Sequence, residues 1–426
     1  MPATVTAAPP LSVRDAQNRI LALLRPLPAE RVALAAARGR VLAEPVIAGL
    51  ELPPWDNSAM DGYAVRAADV RPGVPLPVAL DLPAGSVPGT RLPDGAVARI
   101  MTGAPLPAGA DAVIPVEESA GPGGPGVFAA VGEPVTFTET PVCGAHLRRR
   151  GEDVRRGVPV VPAGMVCGGP QVAMAASVGQ AVLSVIRRPR ITIVSTGDEL
   201  VDVDQAGLPG RIVNGNAYGL AAQVEEAGGV PLGLPIVPDE PAAIRSAIGA
   251  ALAGADGVLT IGGVSVGERD YVRAALAAAG VALHFWRIAL RPGGPTAFGM
   301  TDDGRWVLAL PGNPVSALVT FELFGRPALR RLGGHARCFR RPLRARLAEA
   351  VTTPGDKAYY LRGRLQEERG DWSVTPTGAQ GSAVLSSLVA ADALIVVPAD
   401  VDALPAGAEV TVLPLDGRAI EQADAP

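Results

Sequence analysis

Three apolar runs of this chain end in small, polar and charged residues. Ile191–Val194 leads into Ser195-Thr196-Gly197-Asp198-Glu199, and Gly257–Ile261 into Gly262-Gly263-Val264-Ser265-Val266-Gly267-Glu268-Arg269-Asp270. Trp306–Leu310 leads into Pro311-Gly312-Asn313-Pro314. In an open parallel sheet ligands bind beyond the carboxyl ends of the strands, so these loops are where chemistry is expected. Gly197, Gly262, Gly263, Gly267 and Gly312 let backbone N–H groups approach an anion, and a following helix start adds its dipole. Each loop alone would serve equally as a helix cap or a tight turn. Asp198, Glu199, Asp256 and Asp270 add hard oxygen donors, a set suited to Mg2+ or a similar divalent cation bridging phosphate oxygens. Arg287 and Arg291 lie four residues apart, so in an extended strand they face the same way. Guanidinium groups suit tetrahedral oxyanions, although solvated surface arginines need no ligand. The loop Pro53-Pro54-Trp55-Asp56-Asn57-Ser58-Ala59-Met60-Asp61-Gly62-Tyr63 is dense in polar and aromatic groups that no core or helix requires.

These loops need an alternating strand and helix frame to hold them, and the sequence supplies one. After Arg187-Arg188-Pro189, strands at 191–194, 257–261 and 306–310 alternate with helices at 217–227, 241–253, 271–279 and 315–326, with a further strand near 233–237. Earlier, Val13, Ala16, Ile20, Leu23 and Leu24 share one helical face behind a Ser12/Asp15 capping pair, and Pro26 and Pro28 end that helix. From 50 to 143, and again from 335 to 415, the texture is short β-like runs broken by Pro-Gly turns. With 426 residues, several domains are expected. Hydrophobic residues at 48% and charged residues at 19% allow sizeable cores and exclude a disordered chain. A net charge of -4 makes nucleic acid a poor partner. No apolar run is long enough to span a membrane, and no basic and apolar leader opens the chain, so a cytoplasmic location is expected. Cys143, Cys167 and Cys338 lack disulfide or zinc spacing, and His146, His284 and His335 lack ligand spacing.

Taken together, these stretches resemble the molybdopterin molybdenumtransferase family, the MoeA proteins and the E domains of gephyrin and the plant Cnx proteins. The resemblance rests on Pro53 to Arg66, Arg99 to Pro107, Arg149 to Asp153, Ser195 to Leu200, Gly262 to Tyr271, Leu310 to Ser316, and Gln380-Gly-Ser with Leu385-Ser-Ser-Leu388. It implies an α/β multidomain fold: a doubly wound, MogA-like α/β domain III over 179–330, a β-rich inserted domain II over 49–144, and a C-terminal β-barrel-like domain IV over 335–415. Domain I would combine 12–48 and 145–178, its N-terminal helix packing on domain III. The implied activity is molybdopterin molybdotransferase: molybdate enters adenylylated molybdopterin and AMP leaves, with Mg2+ or a similar cation. The resemblance further implies a homodimer with its cleft between subunits, and transient contact with the molybdopterin adenylyltransferase and recipient molybdoenzymes.

By the same resemblance, Asp61, Thr102, Asp153, Glu199, Asp256 and Asp270 act in catalysis, and Asp198, Glu199, Asp256 and Asp270 hold the metal. Ser195, Thr196, Gly197, Gly262, Gly263, Ser265, Gly267, Pro311, Gly312 and Asn313 bind substrate and phosphate. Arg287, Arg291, Pro295, Arg362 and Ser382 bind molybdate. The family usually reads Lys-Pro-Gly-Lys-Pro where this chain has Arg291-Pro292-Gly293-Gly294-Pro295, so Gly294 removes a cation beside the anion. Losing one charge-assisted hydrogen bond costs on the order of 1.5–3 kcal/mol. That departure keeps open a paralogue with an altered anion, such as tungstate, or with reduced insertion. A non-catalytic scaffold is the remaining alternative.

Overall fold

The computed structural model describes residues 9–86, 89–233, 236–263 and 271–415. The chain divides into two compact units. One unit comprises 31–38 and 42–184. Its centre is a sheet of seven short strands, in which Gly62–Val65 lies between Val97–Ile100 and Ala112–Pro115. Tyr63, fully buried, packs edge-on against Phe137, and its hydroxyl accepts the Ala129 N–H at 2.7 Å. A helix, Gly169–Ser177, follows the sheet.

The other unit, built from 1–30, 39–41 and 185–426, holds an α/β layer and a barrel. Its six-stranded sheet runs in the order Val230–Gly233, Arg190–Ser195, Gly257–Ile261, Trp306–Leu310, Ala297–Met300, Ala282–Phe285. The first four strands pair in parallel and the last two join by antiparallel pairings, so Ala297–Met300 alone runs against the others. Strand alternation sends Ile191 and Ile193 into one core and Val194 into another. Helices therefore cover both faces: Gly215–Glu226 and Pro314–Thr320 on one, Pro241–Gly254 and Tyr271–Ala278 on the other. Of the strand expected near 233–237 the described residues hold Val230–Gly233, 234–235 lying outside them, and the antiparallel pairing of Ala282–Phe285 with Ala297–Met300 was not expected. The helix expected at 315–326 instead runs as Pro314–Thr320, a π turn at Phe321–Gly325, and Arg326–Leu332.

The N-terminal helix, Val13–Leu23, lies in the first of these cores through Val13, Ala16, Ile20 and Leu24. Burying Ile20 and Leu24 stabilises the docking by about 1.5–3 kcal/mol each. Ser12 caps it, accepting the Asp15 N–H, while the short Asp15 carboxylate reaches the Ser12 hydroxyl at 2.7 Å. Beyond Leu343 a barrel closes. Ala358–Glu368 pairs with both Asp371–Pro376 and Ala393–Val397, and the ring is completed through Leu343–Leu347 and Glu409–Pro414. Closure leaves no free edge among these five strands. Leu347, Leu361, Val374, Ile395 and Val412 fill its core, whereas Tyr360 and Leu394 join the α/β core and so fix the barrel against it. Among the described residues no helix is long and apolar enough to cross a membrane.

Just past the helix Arg326–Leu332, His335 is buried and its Nδ1 lies 3.1 Å from the Arg330 guanidinium. Burial, then the charges of Arg330 and Arg326, lower its pKa to about 4. The folded chain thus holds a neutral imidazole that the unfolded chain protonates near 6.5, so this contribution is complete above that pH and is lost as pH falls towards 4. We expect His335→Gln to flatten the loss of unfolding free energy between those limits, by up to roughly 3 kcal/mol. Denaturant titrations at stepped pH check this, and parallel wild-type and variant curves would contradict it.

Candidate active site

The carboxyl ends of the three central parallel strands converge. Ser195 pairs with Ile261 and Ile261 with Leu310, so the loops beyond them start side by side. Thr196 N–H donates to the Ile261 carbonyl and Gly262 N–H to the Leu310 carbonyl, stitching the edge together. Ser195 is buried and its hydroxyl has no partner. Gly197 has φ +151°, and a Cβ there would stand 2.7 Å from the Glu199 carboxylate, so glycine lets that acid fold back over the loop. Asp198 and Glu199 are both exposed, and the Asp198 carboxylate accepts the Asp239 N–H. At Gly263, φ +66°, a Cβ would strike Val272 at 2.3 Å, so only glycine allows the tight turn at the end of this strand. Asn313 precedes Pro314–Thr320, and Asn216 donates to the Gly312 carbonyl at 2.7 Å.

A second feature lies at the barrel. A cavity of about 510 Å³ is lined by Arg291, Glu349, Tyr359 and Arg362 among others. The Arg362 side chain is fully buried. It donates to Ser387 Oγ at 3.0 Å and to the carbonyls of Gly381 at 3.0 Å and Ala379 at 3.4 Å. Gln380 clamps the Arg362 backbone from both sides, accepting its N–H and donating to its carbonyl. Every partner is neutral, and among the described residues no carboxylate pairs with this guanidinium. Burial lowers its pKa, yet arginine remains charged at neutral pH. A buried positive charge without a counter-ion is costly, and an incoming anion offsets that cost.

The two features meet at Ser382. Its hydroxyl accepts from Asn313 Nδ2 at 3.1 Å and its carbonyl accepts the Val315 N–H, while the adjacent Gly381 carbonyl holds Arg362. An oxyanion at the barrel would therefore sit next to the loop that opens the helix after Leu310. In the other unit, Asp61 accepts the Thr102 N–H at 2.6 Å and the Thr102 hydroxyl at 2.7 Å. These bonds, the backbone one foremost, hold the Asp61 carboxyl below its ordinary range. Asp153 is exposed in the same unit. The basic run at 148–150 is matched by acids: Arg149 pairs with Asp56 and Arg150 with Glu51.

Several expected site residues lie elsewhere. Asp256 is at the opposite end of its strand from Gly262: it accepts both Arg187 guanidinium nitrogens, at 2.6 and 2.9 Å, and the Arg190 N–H. It ties the entry of the sheet, away from the loops, because it precedes the strand that Gly262 follows. Arg287 does not join Arg291 in the cavity. The segment between them is not one extended strand, since Ile288 bridges to Leu11, the chain bends at Ala289, and only Leu290–Arg291 pairs with the barrel. Pro295 is likewise outside the cavity lining. Ser265, Gly267 and Asp270 fall outside the described residues. Gln380, Ser387 and Tyr359 were not anticipated as site residues; Gln380 and Ser387 stand within the Gln-Gly-Ser and Leu-Ser-Ser-Leu stretches, but only barrel closure brings them to Arg362.

Fold and site define a multidomain α/β protein with a closed barrel that buries a guanidinium which no carboxylate pairs among the described residues. Family models agree along the chain: MoeA N-terminal region (domain I and II) at 11–179, a probable molybdopterin binding domain at 192–331, and MoeA C-terminal region (domain IV) at 344–415. The molybdopterin molybdenumtransferase of Nostoc sp. is 37% identical, over 95% of this chain and 94% of its own. Molybdopterin molybdenumtransferase 2 of Mycobacterium tuberculosis is 36% identical, over 94% of this chain and 98% of its own. The crystal structure of the molybdopterin biosynthesis MoeA protein of Pyrococcus horikoshii superposes with a TM-score of 0.79 at 29% identity, covering 96% of this chain and 100% of that one. The chain belongs to the molybdopterin molybdenumtransferase family, a family of transferases in molybdenum cofactor biosynthesis.

Because Asp256 holds Arg187 rather than a ligand, Asp256→Asn is expected to lower stability by about 1–3 kcal/mol, less than a fully buried pair would. Affinity for Mg2+, the ion that Asp256 was expected to hold, should stay at the wild-type value in the same protein. Chemical denaturation and calorimetric titration read the two effects, and a loss of affinity at unchanged stability would return Asp256 to the site.

Proposed function

We propose that this protein inserts molybdate into adenylylated molybdopterin and releases AMP. The observation that carries the reading is the buried Arg362, which no carboxylate pairs among the described residues, in a cavity it shares with Arg291 and Glu349, tied through Gly381 and Ser382 to Asn313. Molybdate, a tetrahedral dianion, is held by the Arg362 and Arg291 guanidinium groups. The adenylylated substrate places its phosphates over the loops after Ser195, Ile261 and Leu310, where the N–H groups of Gly312 and Asn313 stand at the start of the helix Pro314–Thr320 and favour negative charge. Ser195, whose buried hydroxyl is unpartnered, is free to donate to a phosphate oxygen.

The donor set suits a divalent cation of one kind. Among the described residues no three His, Cys, Asp or Glu side chains gather to cage a metal. Mg2+ is commonly held by one or two carboxylates together with substrate phosphates and water, and the exposed pair Asp198 and Glu199 provides such carboxylates. An ion held there would neutralise charge on the phosphoanhydride. Asp61, pre-ionised by Thr102, and Asp153 complete the catalytic set in this proposal, which includes the homodimer. Sedimentation equilibrium reads the assembly directly.

Gly294 favours a second reading, an altered oxyanion preference. A Cβ at 294 would meet the carbonyls of Leu290 at 3.1 Å and Ile288 at 3.3 Å, a tight but not forbidden fit, and Gly294 itself carries no cation. The test is AMP release from adenylylated molybdopterin with Mg2+, with and without molybdate. We expect molybdate-dependent release by the wild type, and at least a roughly hundredfold loss in Arg362→Ala, as for removal of one anion-stabilising donor. Release that depends on tungstate alone would establish the second reading; substrate binding with no release under either anion would overturn both.

A further inference from the structure

The cavity at the barrel is short of positive charge for a dianion. Arg291 and Arg362 bring two cations, while Glu349 lines the same cavity with the opposite charge. A third cation stands beside it. Of 38 lysines and arginines in the chain only Lys357 is a lysine, and it precedes the strand that carries Tyr359 and Arg362. That strand pairs in parallel with Leu290–Arg291, Leu290 opposite Ala358 and Arg291 opposite Tyr359, so Lys357 is placed next to the segment that presents Arg291.

One carboxylate joins Lys357 to the cavity wall. Asp356 Oδ2 lies 2.7 Å from Lys357 Nζ, and Asp356 Oδ1 accepts the Tyr359 hydroxyl at 2.9 Å. Tyr359 itself lines the cavity. Burial and the Asp356 hydrogen bond push the Tyr359 phenol up, while the charges of Arg291 and Lys357 pull the other way, so both cations bear on the same hydroxyl. The Lys357 and Asp356 side chains are 32% and 52% exposed, and an exposed ion pair is weak, so exchanging this acid for a stronger anion costs little. A compact ammonium on a flexible stem is the cation that can make such a move; a planar guanidinium fork is less suited to it.

We propose that Lys357 is the third cation of the oxyanion cavity, stored on Asp356 beside Tyr359 and transferred to the anion when it enters. The inference rests on the reading of the Arg291 and Arg362 cavity as the molybdate site. Lys357 is a positioning and affinity-determining residue that stands in for the charge the 294 turn does not carry.

Calorimetric titration of the full chain with molybdate alone, at low ionic strength, tests it. Lys357→Gln is expected to weaken binding about fivefold, and Asp356→Asn to tighten it about twofold, the scale of one screened charge contact. In the Lys357→Gln background the gain from Asp356→Asn should vanish, because the acid then has no lysine to hold back. A gain that persists there shows Asp356 acting by plain repulsion and overturns the inference, as does an unchanged affinity in Lys357→Gln. Arg362→Ala and the exposed Arg291→Ala test the cavity separately. If both bind molybdate like wild type, the cavity reading fails; if they lose it while Lys357→Gln does not, only the role of Lys357 falls.

Discussion

A guanidinium buried without an acid is the constraint around which the barrel half of this protein is arranged. Among the described residues Arg362 is the largest fully buried charged side chain, and its hydrogen bonds go to a serine hydroxyl and backbone carbonyls. Neutral acceptors satisfy its geometry without cancelling its charge, leaving an electrostatic demand that an anion can meet. That arrangement needs closure of the ring: Ser387 and Gly381 reach Arg362 because Ala358–Glu368 pairs with the strands on both its sides. Gln380, bonded to the Arg362 backbone in both directions, holds the 378–381 turn against the strand. Weakening any of these contacts would let water or a flexible acid solvate the charge.

The same closure places the Arg362 cavity beside the sheet edge. Tyr360 and Leu394 belong to the α/β core, so barrel and sheet share one packed interior, and interiors at crystal-like density transmit position well. The Asn313 to Ser382 contact then couples a loop after the third strand to the turn that holds Arg362. Two anion-ready features on separate elements become neighbours through packing rather than through sequence proximity. A transfer that joins an oxyanion to a phosphorylated partner requires such adjacency, since orienting two reactants removes much of the entropic cost of their meeting.

The alternating strands and helices of the α/β layer were legible because apolar runs such as Ile191–Val194 and Gly257–Ile261 end in glycine-rich or acidic loops. The N-terminal helix was legible from its Ser12 cap and its apolar stripe. Strands Asp371–Pro376 and Glu409–Pro414 were not identified individually, since short barrel strands owe their existence to partners distant in sequence. Asp256 was misplaced for a related reason: composition puts an acid near a glycine-rich loop, but the direction of the strand decides which end it occupies. Arg287 and Arg291 have the spacing of one face, yet the bridge from Ile288 to Leu11 bends the chain between them. The partners of Arg362 and the lysine store at Asp356 could not be read locally, because each depends on residues brought together by folding.

The central claim is that the barrel cavity, not the sheet edge, receives the oxyanion. Anomalous diffraction at the molybdenum edge from crystals soaked in molybdate tests it most directly. The account predicts one dominant peak within hydrogen-bond reach of Arg362 and Arg291, absent in Arg362→Ala crystals. A dominant peak over the 195–199 or 262–263 loops, with the Arg362 cavity empty, would contradict it.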